Sequence, residues 1–185
     1  MKENCYTIEA MCLEDIPEVL RLEREAFGQM AWHADDFESA ITSKCDFPLV
    51  IHRTTAVWDA ANIVNSSADA IDRLPKPMQT GEVQDTEVGG IGIVGYAVLR
   101  IIAPEAEVEN ICVAPTCRRT GAGERLMDEM LCLATNQGAD RIFLEVRAHN
   151  EPAKALYRKK GFVDSYVRKN YYQGPTEDAI IMMKE

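Results

Sequence analysis

The segment that decides the fold class is NICVAPTCRRTGAG, at residues 110–123. Its apolar first part predicts a strand that ends at Val113, and the glycines that follow open an amphipathic helix predicted over residues 121–137. Backbone N–H groups at a helix start have no intrahelical partner, and glycines let an anion approach them closely. With Arg118 and Arg119 nearby, this order of elements predicts a phosphate-binding loop in an α/β protein. The alternative is an ordinary glycine-rich helix start with solvated arginines.

Hydrophobic periodicity predicts further elements on both sides of this loop. Strands are predicted at residues 6–10, 47–51, 91–102, 108–113, 141–146, 162–172 and 179–183. Helices are predicted at residues 14–27, 35–42, 121–137 and 151–160. In the first helix, helical spacing predicts a core-facing stripe made of Ile16, Val19, Leu20 and Phe27. These elements suit a single α/β domain over residues 1–185, a length typical of one domain.

Residues 54–89 interrupt this pattern. Asp, Asn, Ser, Pro and Gly cluster there, notably in NSS at residues 65–67 and in PKP at residues 75–77, which predicts a loop. One or two helical turns within residues 56–71 are an alternative for its first half. We therefore expect a single domain with a loop insertion at residues 54–89.

The composition narrows the classes of partner. The 185 residues include 46% hydrophobic side chains, enough for an ordinary core, and the formal net charge is −10. Nucleic-acid binding needs an excess of Lys and Arg, so this charge argues against direct nucleic-acid binding and favours a cationic partner. No apolar run is long enough to span a membrane, and the first five residues show no secretory signal. We therefore expect a cytoplasmic protein without a membrane partner.

The cysteines and histidines predict neither a disulfide framework nor a metal site. None of the six cysteines forms a Cys-x-x-Cys pair, and the three histidines have no zinc-site spacing. Free thiols are expected, and a Cys–His nucleophile pair is the less favoured alternative.

A second glycine pattern, GIGIVG at residues 90–95, matches the dinucleotide-binding pattern G-x-G-x-x-G letter by letter. That motif requires a strand before it and a helix after it. Here the pattern opens a predicted strand, and YAVL follows at residues 96–99. We therefore predict that these glycines ease a turn or a bulge and do not bind a cofactor.

The loop and the order of elements together resemble the GNAT acetyltransferase superfamily. Arg-x-x-Gly-x-Gly at residues 118–123 is similar to its pyrophosphate loop, and the similarity covers nearly the whole chain except residues 54–89. Its RimI-like subfamily, the bacterial ribosomal-protein alanine N-acetyltransferases, is resembled by LEVRAHN at residues 144–150, ALY at 155–157, GF at 161–162, RKNYY at 168–172 and EDAIIM at 177–182. The resemblance implies an α/β GNAT fold: a central, mixed, mostly antiparallel sheet of about seven strands, flanked by four helices.

The same resemblance implies acetyl-CoA as a co-substrate, without a metal. The residues that correspond to its binding site are Ile111, Cys112, Val113, Arg118, Arg119, Thr120, Gly121, Ala122, Gly123, Asn150 and Tyr157. Asn150 corresponds to the residue that hydrogen-bonds the pantetheine arm of the coenzyme. It is also well placed to cap the helix that starts at Glu151, and both roles are compatible.

Two side chains correspond to the family's base and acid. The acceptor amine must lose a proton, and Glu145 corresponds to the general base that takes it, directly or through water. The departing thiolate must gain a proton, and Tyr157 corresponds to the general acid. The alternatives are a solvated carboxylate at a strand end and a core aromatic that anchors its helix. Glu109 is the next candidate for the base, although it alternates with Glu105 and Glu107 in a row typical of a solvated sheet face.

The acceptor side is implied by two segments. Ala26 and Phe27, with Trp32 and Phe37, resemble the substrate-side helices of the subfamily, with extra residues between Phe27 and Trp32. The pair YY at residues 171–172 corresponds to an acceptor-side segment or packs between the last two strands. The implied acceptor is a basic protein N-terminus, the N-terminal alanine of the eighteenth small-subunit ribosomal protein. The alternatives are another protein N-terminus, a lysine, a small amine, or a coenzyme-A-binding sensor without catalysis.

Overall fold

The computed structural model of the chain describes residues 5–54 and 92–185. Seven strands lie within these residues, with the bounds β1 Cys5–Ala10, β2 Asp46–Thr54, β3 Ile93–Ile102, β4 Glu105–Val113, β5 Arg141–Arg147, β6 Val163–Tyr172 and β7 Glu177–Lys184. Four helices accompany them, with the bounds α1 Ile16–Phe27, α2 Ala34–Thr42, α3 Ala122–Asn136 and α4 Glu151–Lys159. Residues 55–89 of the predicted insertion, with the alternative helical turns at 56–71, lie outside the described residues.

The seven strands form one mixed sheet in the order β1-β2-β3-β4-β5-β7-β6. Neighbouring strands are antiparallel except for β4 and β5, which run parallel. A parallel pair needs a crossover connection, and α3 provides it between these two strands. This architecture confirms the predicted α/β fold with a mostly antiparallel sheet and four helices.

The helices cover both faces of the sheet and bury two groups of apolar side chains. One group, the α3/α4 core, includes Leu126 and Leu144. The other, the α1/α2 core, includes Val19 and Tyr96. Successive side chains of a strand point to opposite faces, so the central strands contribute to both cores. Among the described helices, none is long and apolar enough to cross a membrane.

Strand β4 contains a bulge at Glu109. Adjacent residues of β3 pair with Val108 and with Asn110, so Glu109 is an extra residue on β4. A bulge interrupts the alternation of side chains along its strand. Val108 accordingly lies in the α3/α4 core before the bulge, whereas Cys112 lies in the α1/α2 core after it. The bulge therefore decides which side chains of β4 face which helices.

The described part of the GIGIVG pattern opens a strand, as predicted, because β3 begins at Ile93. A Cβ atom at Gly95 would lie 2.6 Å from the carbonyl oxygen of Cys112 on β4. Real Cβ atoms do not approach an oxygen this closely, so glycine permits the close contact between the two backbones.

The buried face of α1 differs from the predicted stripe. Phe27 is 39% exposed rather than buried, while Leu22 and Glu23 lie in the interior. Phe27 is the last residue of the helix and lines a surface groove together with Met30. The prediction for Phe27 was wrong because helical spacing alone does not show where a helix leaves the sheet that it packs on.

Replacement of a fully buried leucine tests the α3/α4 core. Leu126 on α3 has no exposed surface. We expect Leu126→Ala to lower the free energy of unfolding by about 2–5 kcal/mol, because the substitution removes buried methyl groups and leaves a cavity. Equilibrium denaturation in urea measures this change. The control is Leu13→Ala, at a side chain that is 54% exposed, where we expect less than about 0.5 kcal/mol. Equal losses for the two variants would contradict the packing described here.

Candidate active site

The parallel strands β4 and β5 separate part-way along their length. They pair at four positions, the last of which joins Val108 to Leu144. Beyond it, β4 continues to Val113 and β5 to Arg147, with no further ladder pair between them in the described part of the chain. The sheet therefore has a gap in its middle, here called the strand opening, lined by backbone polar groups that lack a partner strand.

Two of the three predicted coenzyme residues on β4 turn their backbone to this opening. The N–H of Ala114 donates to the carbonyl of Val94 on β3 at 2.8 Å. Because alternate residues of a strand point in opposite directions, the N–H groups of Ile111 and Val113 face β5, whereas that of Cys112 faces β3. Burial raises the pKa of the Cys112 thiol to about 12, so this thiol stays protonated and unreactive at neutral pH.

The loop between β4 and α3 folds back onto the end of β4. Nε of Arg118 donates to the carbonyl of Val113 at 3.1 Å. Arg119 and Gly121 have positive φ values of 61° and 95°, a conformation in which successive backbone N–H groups can point to one side. Since α3 begins at Ala122, its first N–H groups have no intrahelical partner and form the positive end of the helix dipole. The loop therefore has the backbone geometry that binding of an anion requires.

The space around this loop fits a phosphate group. A Cβ atom at Gly121 would meet no other atom within 4 Å, so the neighbouring amides are accessible. A Cβ atom at Gly123 would lie 3.6 Å from side chains of both β4 and α4, so β4, α3 and α4 converge there. The hydroxyl of Thr120 lies 2.5 Å from that of Tyr6 and fixes the loop to β1. Amide donors, open space and arginine side chains therefore occur together.

Helix α4 carries Asn150 at its start and Tyr157 in its interior face. Oδ1 of Asn150 accepts the backbone N–H of Ala153 at 3.2 Å, so Asn150 caps the helix. Tyr157 is 6% exposed, and its ring centre lies 6.1 Å from that of Phe162. Burial, with the nearby Tyr172, raises the pKa of Tyr157 far above its usual value. Its hydroxyl therefore carries a proton throughout the neutral range.

Glu145 lies on the opposite face of the sheet from Tyr157. Its neighbour Leu144 belongs to the same core as Tyr157, and side chains alternate along β5. Arg168 on β6 forms an ion pair with the Glu145 carboxylate. The hydroxyl of Tyr171 donates a hydrogen bond to the same carboxylate, which raises the pKa of Tyr171. The structure therefore brings Glu145 to the strand opening but not into contact with Tyr157.

Tyr172 links the two groups electrostatically. Burial and the charge of Glu145 raise the pKa of Tyr172 to about 12, and Tyr172 contributes to the raised pKa of Tyr157. The guanidinium of Arg147 lies 4.3 Å from the centre of the Tyr172 ring, a cation–π contact. Tyr172 therefore lies beside Arg147 and within electrostatic reach of Glu145 and Tyr157.

Glu109, the alternative base, lies at the same level as Glu145. Each residue directly follows the last ladder pair between β4 and β5 on its own strand. Nη1 of Arg100 pairs with Glu109 at 2.9 Å, and Nε and Nη2 of this arginine bind Asp46 at 2.7 and 2.9 Å. Burial raises the pKa of Glu109, and the charge of Arg100 opposes this shift. Both candidate bases are therefore paired with an arginine.

A surface groove of about 510 Å³ lies between the loop after α1 and the turn between β6 and β7. Phe27 and Met30 line one wall, and Gly174 lies on the other. Nη2 of Arg147 donates to Sδ of Met30 at 3.1 Å, and Nη1 donates to Glu177 at 3.1 Å. Arg147 thus ties the loop after α1 to strand β7. The groove adjoins the acceptor-side residues that the sequence resemblance implied.

Sequence reasoning missed the arginines of this site. Arg147 and Arg168 lie within the segments that carry the family resemblance, so those segments were a signal for them. Arg100 had no such signal, because its pairing with Glu109 depends on the register between β3 and β4. Within residues 5–54 and 92–185, no cluster of His, Cys, Asp or Glu is arranged to hold a metal ion.

A family of known proteins matches more than half of this chain. The match covers residues 56–162, and the family is described as "Acetyltransferase (GNAT) family". The chain therefore belongs to the GNAT acetyltransferase family.

Relatives of similar sequence have a more particular name. The chain is 39% identical over 90 residues to the putative ribosomal protein bS18-alanine N-acetyltransferase of Bacillus subtilis (strain 168), a match that covers 49% of this chain. It is 40% identical over 91 residues to the ribosomal protein bS18-alanine N-acetyltransferase of Escherichia coli (strain K12), a match that covers 47% of this chain. The chain spans 60% of the length of each of these curated relatives.

Solved structures agree with the fold. The crystal structure of the ribosomal-protein-S18-alanine N-acetyltransferase from Escherichia coli matches with a TM-score of 0.68 at 24% identity, over 97% of this chain and 93% of that one. Arabidopsis thaliana NAA60 in complex with acetyl-CoA matches with a TM-score of 0.70 at 11% identity, over 97% of both chains. At these identities the likeness shows the fold alone.

Proposed function

We propose that this protein is an acetyl-CoA-dependent N-acetyltransferase that acts on the α-amine of a protein N-terminus. The observation that carries the proposal is the strand opening, because it lies between the anion-binding loop and the carboxylate of Glu145. Acetyl-CoA supplies the acetyl group as an activated thioester.

The coenzyme-binding residues fall into two groups. The loop amides of residues 118–123, with Arg118 and Arg119, would hold the pyrophosphate. The N–H groups of Ile111 and Val113 would hydrogen-bond an extended arm that takes the place of a strand in the opening. Oδ1 of Asn150 is used as a helix cap, so its amide NH₂ is the group left to bind the arm.

Glu145 would serve as the base. A protein α-amine has a pKa of about 7.7–8.0, so it is largely protonated near neutral pH and cannot attack a carbonyl in that form. Glu145 would take the proton, directly or through a water molecule, while a C–N bond forms. Glu109 has the same chemistry available, and it is our second candidate for this role.

Tyr157 would serve as the acid. The C–S bond breaks when the amide forms, and the leaving thiolate must gain a proton. The Tyr157 hydroxyl is protonated at neutral pH, so it would transfer its proton to the sulfur and later regain one from solvent. The products are an N-acetylated chain and free coenzyme A.

The N-terminal alanine of ribosomal protein bS18 is the acceptor that we favour. Relatives with about 40% identity over half of the chain are named for this reaction, and the net charge of −10 suits a basic partner. The surface groove beside Phe27 and Met30 would receive the acceptor. A ribosomal acceptor is met in the cytoplasm, where we propose that the chain acts.

A thiol-release assay with acetyl-CoA tests the proposal. A short peptide that begins Ala-Arg should release thiol, whereas the same peptide with an acetylated N-terminus should not. Release from an N-acetylated peptide that contains lysine, or from a small amine, would instead favour those acceptors. Coenzyme binding without release from any amine would indicate a sensor and refute catalysis.

The charge of a single side chain tests the coenzyme site. We expect Gly121→Asp to weaken acetyl-CoA binding at least tenfold, about 1.4 kcal/mol, relative to Gly121→Asn. Both substitutions impose the same strain at a φ of 95°, but only the aspartate puts a negative charge where the pyrophosphate should lie. Titration calorimetry on the two variants measures the difference. Equal affinities would remove the pyrophosphate from this loop.

A further inference from the structure

Glu23 is a buried acid that the proposed chemistry does not use. It lies in the middle of α1 and is 1% exposed. Burial raises its pKa, and the hydrogen bonds that its carboxylate accepts oppose this shift. A buried carboxylate is costly compared with an apolar side chain of similar size, so its presence needs a reason other than packing.

The partners of Glu23 connect two separate parts of the site. Oε1 accepts the backbone N–H of Trp32 at 2.8 Å, at the end of the loop that follows α1. The side-chain amide of Asn110 donates to both carboxylate oxygens, at 3.2 and 3.3 Å. Asn110 directly follows the bulge residue of β4, and its Oδ1 accepts the hydroxyl of Tyr96 at 3.4 Å. Glu23 therefore fastens the loop to the bulged part of β4.

The fastened loop is one wall of the surface groove. Residues 28–30 form a short turn within it, and Met30 both lines the groove and accepts a hydrogen bond from Arg147. Trp32 packs against Phe37 with tilted rings whose centres are 5.3 Å apart, so the end of the loop is held by packing as well. The hydrogen bond from the Trp32 N–H to Glu23 is a second restraint, and it acts on the backbone.

We propose that Glu23 is a positioning residue for the acceptor: through Trp32 and Asn110 it holds the loop at residues 28–32 at a fixed distance from β4. The claim about the acceptor rests on the proposed function, whereas the claim about the loop does not. If the loop moved, the groove would change its shape while the anion site at residues 118–123 would not. The loss of Glu23 should therefore affect the acceptor and spare the coenzyme.

An exchange of the two partners tests this proposal. Glu23→Gln alone puts an amide NH₂ at the position where Oε2 accepts from the Asn110 amide, and Asn110→Asp alone sets two carboxylates against each other. In the double variant the new amide can donate to the new carboxylate, accept from the Trp32 N–H and leave an oxygen for Tyr96. We expect each single variant to raise KM for an Ala-Arg peptide at least tenfold and to speed amide hydrogen exchange at Trp32. We expect the double variant to recover both values to within about threefold, the usual signature of a coupled pair.

Three controls make the test decisive. Acetyl-CoA affinity should change less than twofold in all variants. Glu18→Gln, on the same helix at a side chain that is 42% exposed, should leave every value unchanged. Assays well below the melting temperature separate positioning from loss of folded protein. An unchanged peptide KM in folded single variants, or no recovery in the double variant, would overturn the proposal. If the wild-type protein acetylates no peptide, the proposed function fails, and exchange at Trp32 still decides whether Glu23 anchors the loop.

Discussion

Tyr157→Phe is expected to lower kcat for an Ala-Arg peptide by about 10²–10⁴-fold, the usual contribution of a positioned acid or base. The substitution keeps the ring and its contact with Phe162, whose centre is 6.1 Å away. It removes only the proton that the leaving thiolate must gain. Steady-state kinetics with saturating acetyl-CoA measure the loss.

The control for Tyr157→Phe is a comparison of its acetyl-CoA binding and thermal stability with those of the unsubstituted protein. Because the ring still fills its place in the α3/α4 core, we expect acetyl-CoA affinity and the melting temperature to stay close to those of the unsubstituted protein. A variant that turns over at the original rate would show that water or another group protonates the thiolate. In that case Tyr157 is only a core aromatic, which was the alternative interpretation of its sequence position.

Glu145→Gln is expected to slow turnover about 10²-fold or more at pH 7, and to regain much of the loss as the pH rises. The direction of this pH effect follows from the protonation state of the acceptor amine. Above its pKa of about 7.7–8.0, solvent has already removed the proton that the base would take, so the base becomes dispensable. A pH–rate profile from pH 6 to about pH 9.5, run beside Tyr157→Phe, measures this recovery. The tyrosine variant should show no such recovery, since alkaline solvent does not protonate a leaving group.

Glu109→Gln is the matched comparison for the base. Glu109 and Glu145 both follow the last ladder pair between β4 and β5, and each is paired with an arginine. We expect Glu109→Gln to change turnover less than Glu145→Gln and to show no recovery at high pH. If Glu145→Gln is slow but has the original pH dependence, Glu145 orients the acceptor. The variant that does recover then identifies the base.

Local sequence was enough to predict the backbone arrangement of the loop at residues 118–123, whose binding of the coenzyme stays a prediction. A strand, two arginines and a glycine-rich helix start specify backbone donors within a few residues of one another, and in the structure residues 118–121 precede α3 with Gly121 at its N-cap. The type and order of the elements were predictable for the same reason, since hydrophobic periodicity is a local property. The bounds were less so, because β2 runs to Thr54 and β4 begins at Glu105, each three residues beyond its prediction. Leu144 and Glu145 are neighbours on one strand, so the sequence also predicts that their side chains lie on opposite faces of the sheet.

Features that depend on pairing between distant segments were not predictable. The bulge at Glu109 exists only in relation to the register of β3, so no pattern within β4 announces it. Arg100 meets Glu109 and Asp46 for the same reason. Glu23 lies on the inward stripe of α1, where helical periodicity predicts an apolar residue. A charged residue at such a position indicates a role other than packing, but the sequence does not show that its partners are Trp32 and Asn110.

The strand opening also affects how the protein holds together. Strands β1 to β4 and strands β5 to β7 form two halves, and within the described residues the sheet joins them by four ladder pairs. A coenzyme lying in the opening would touch both halves, and a ligand that binds only the assembled form stabilises that form. Acetyl-CoA would then hold the two halves of the sheet together as well as donate the acetyl group. The free energy of unfolding would then increase with the concentration of coenzyme in the cell.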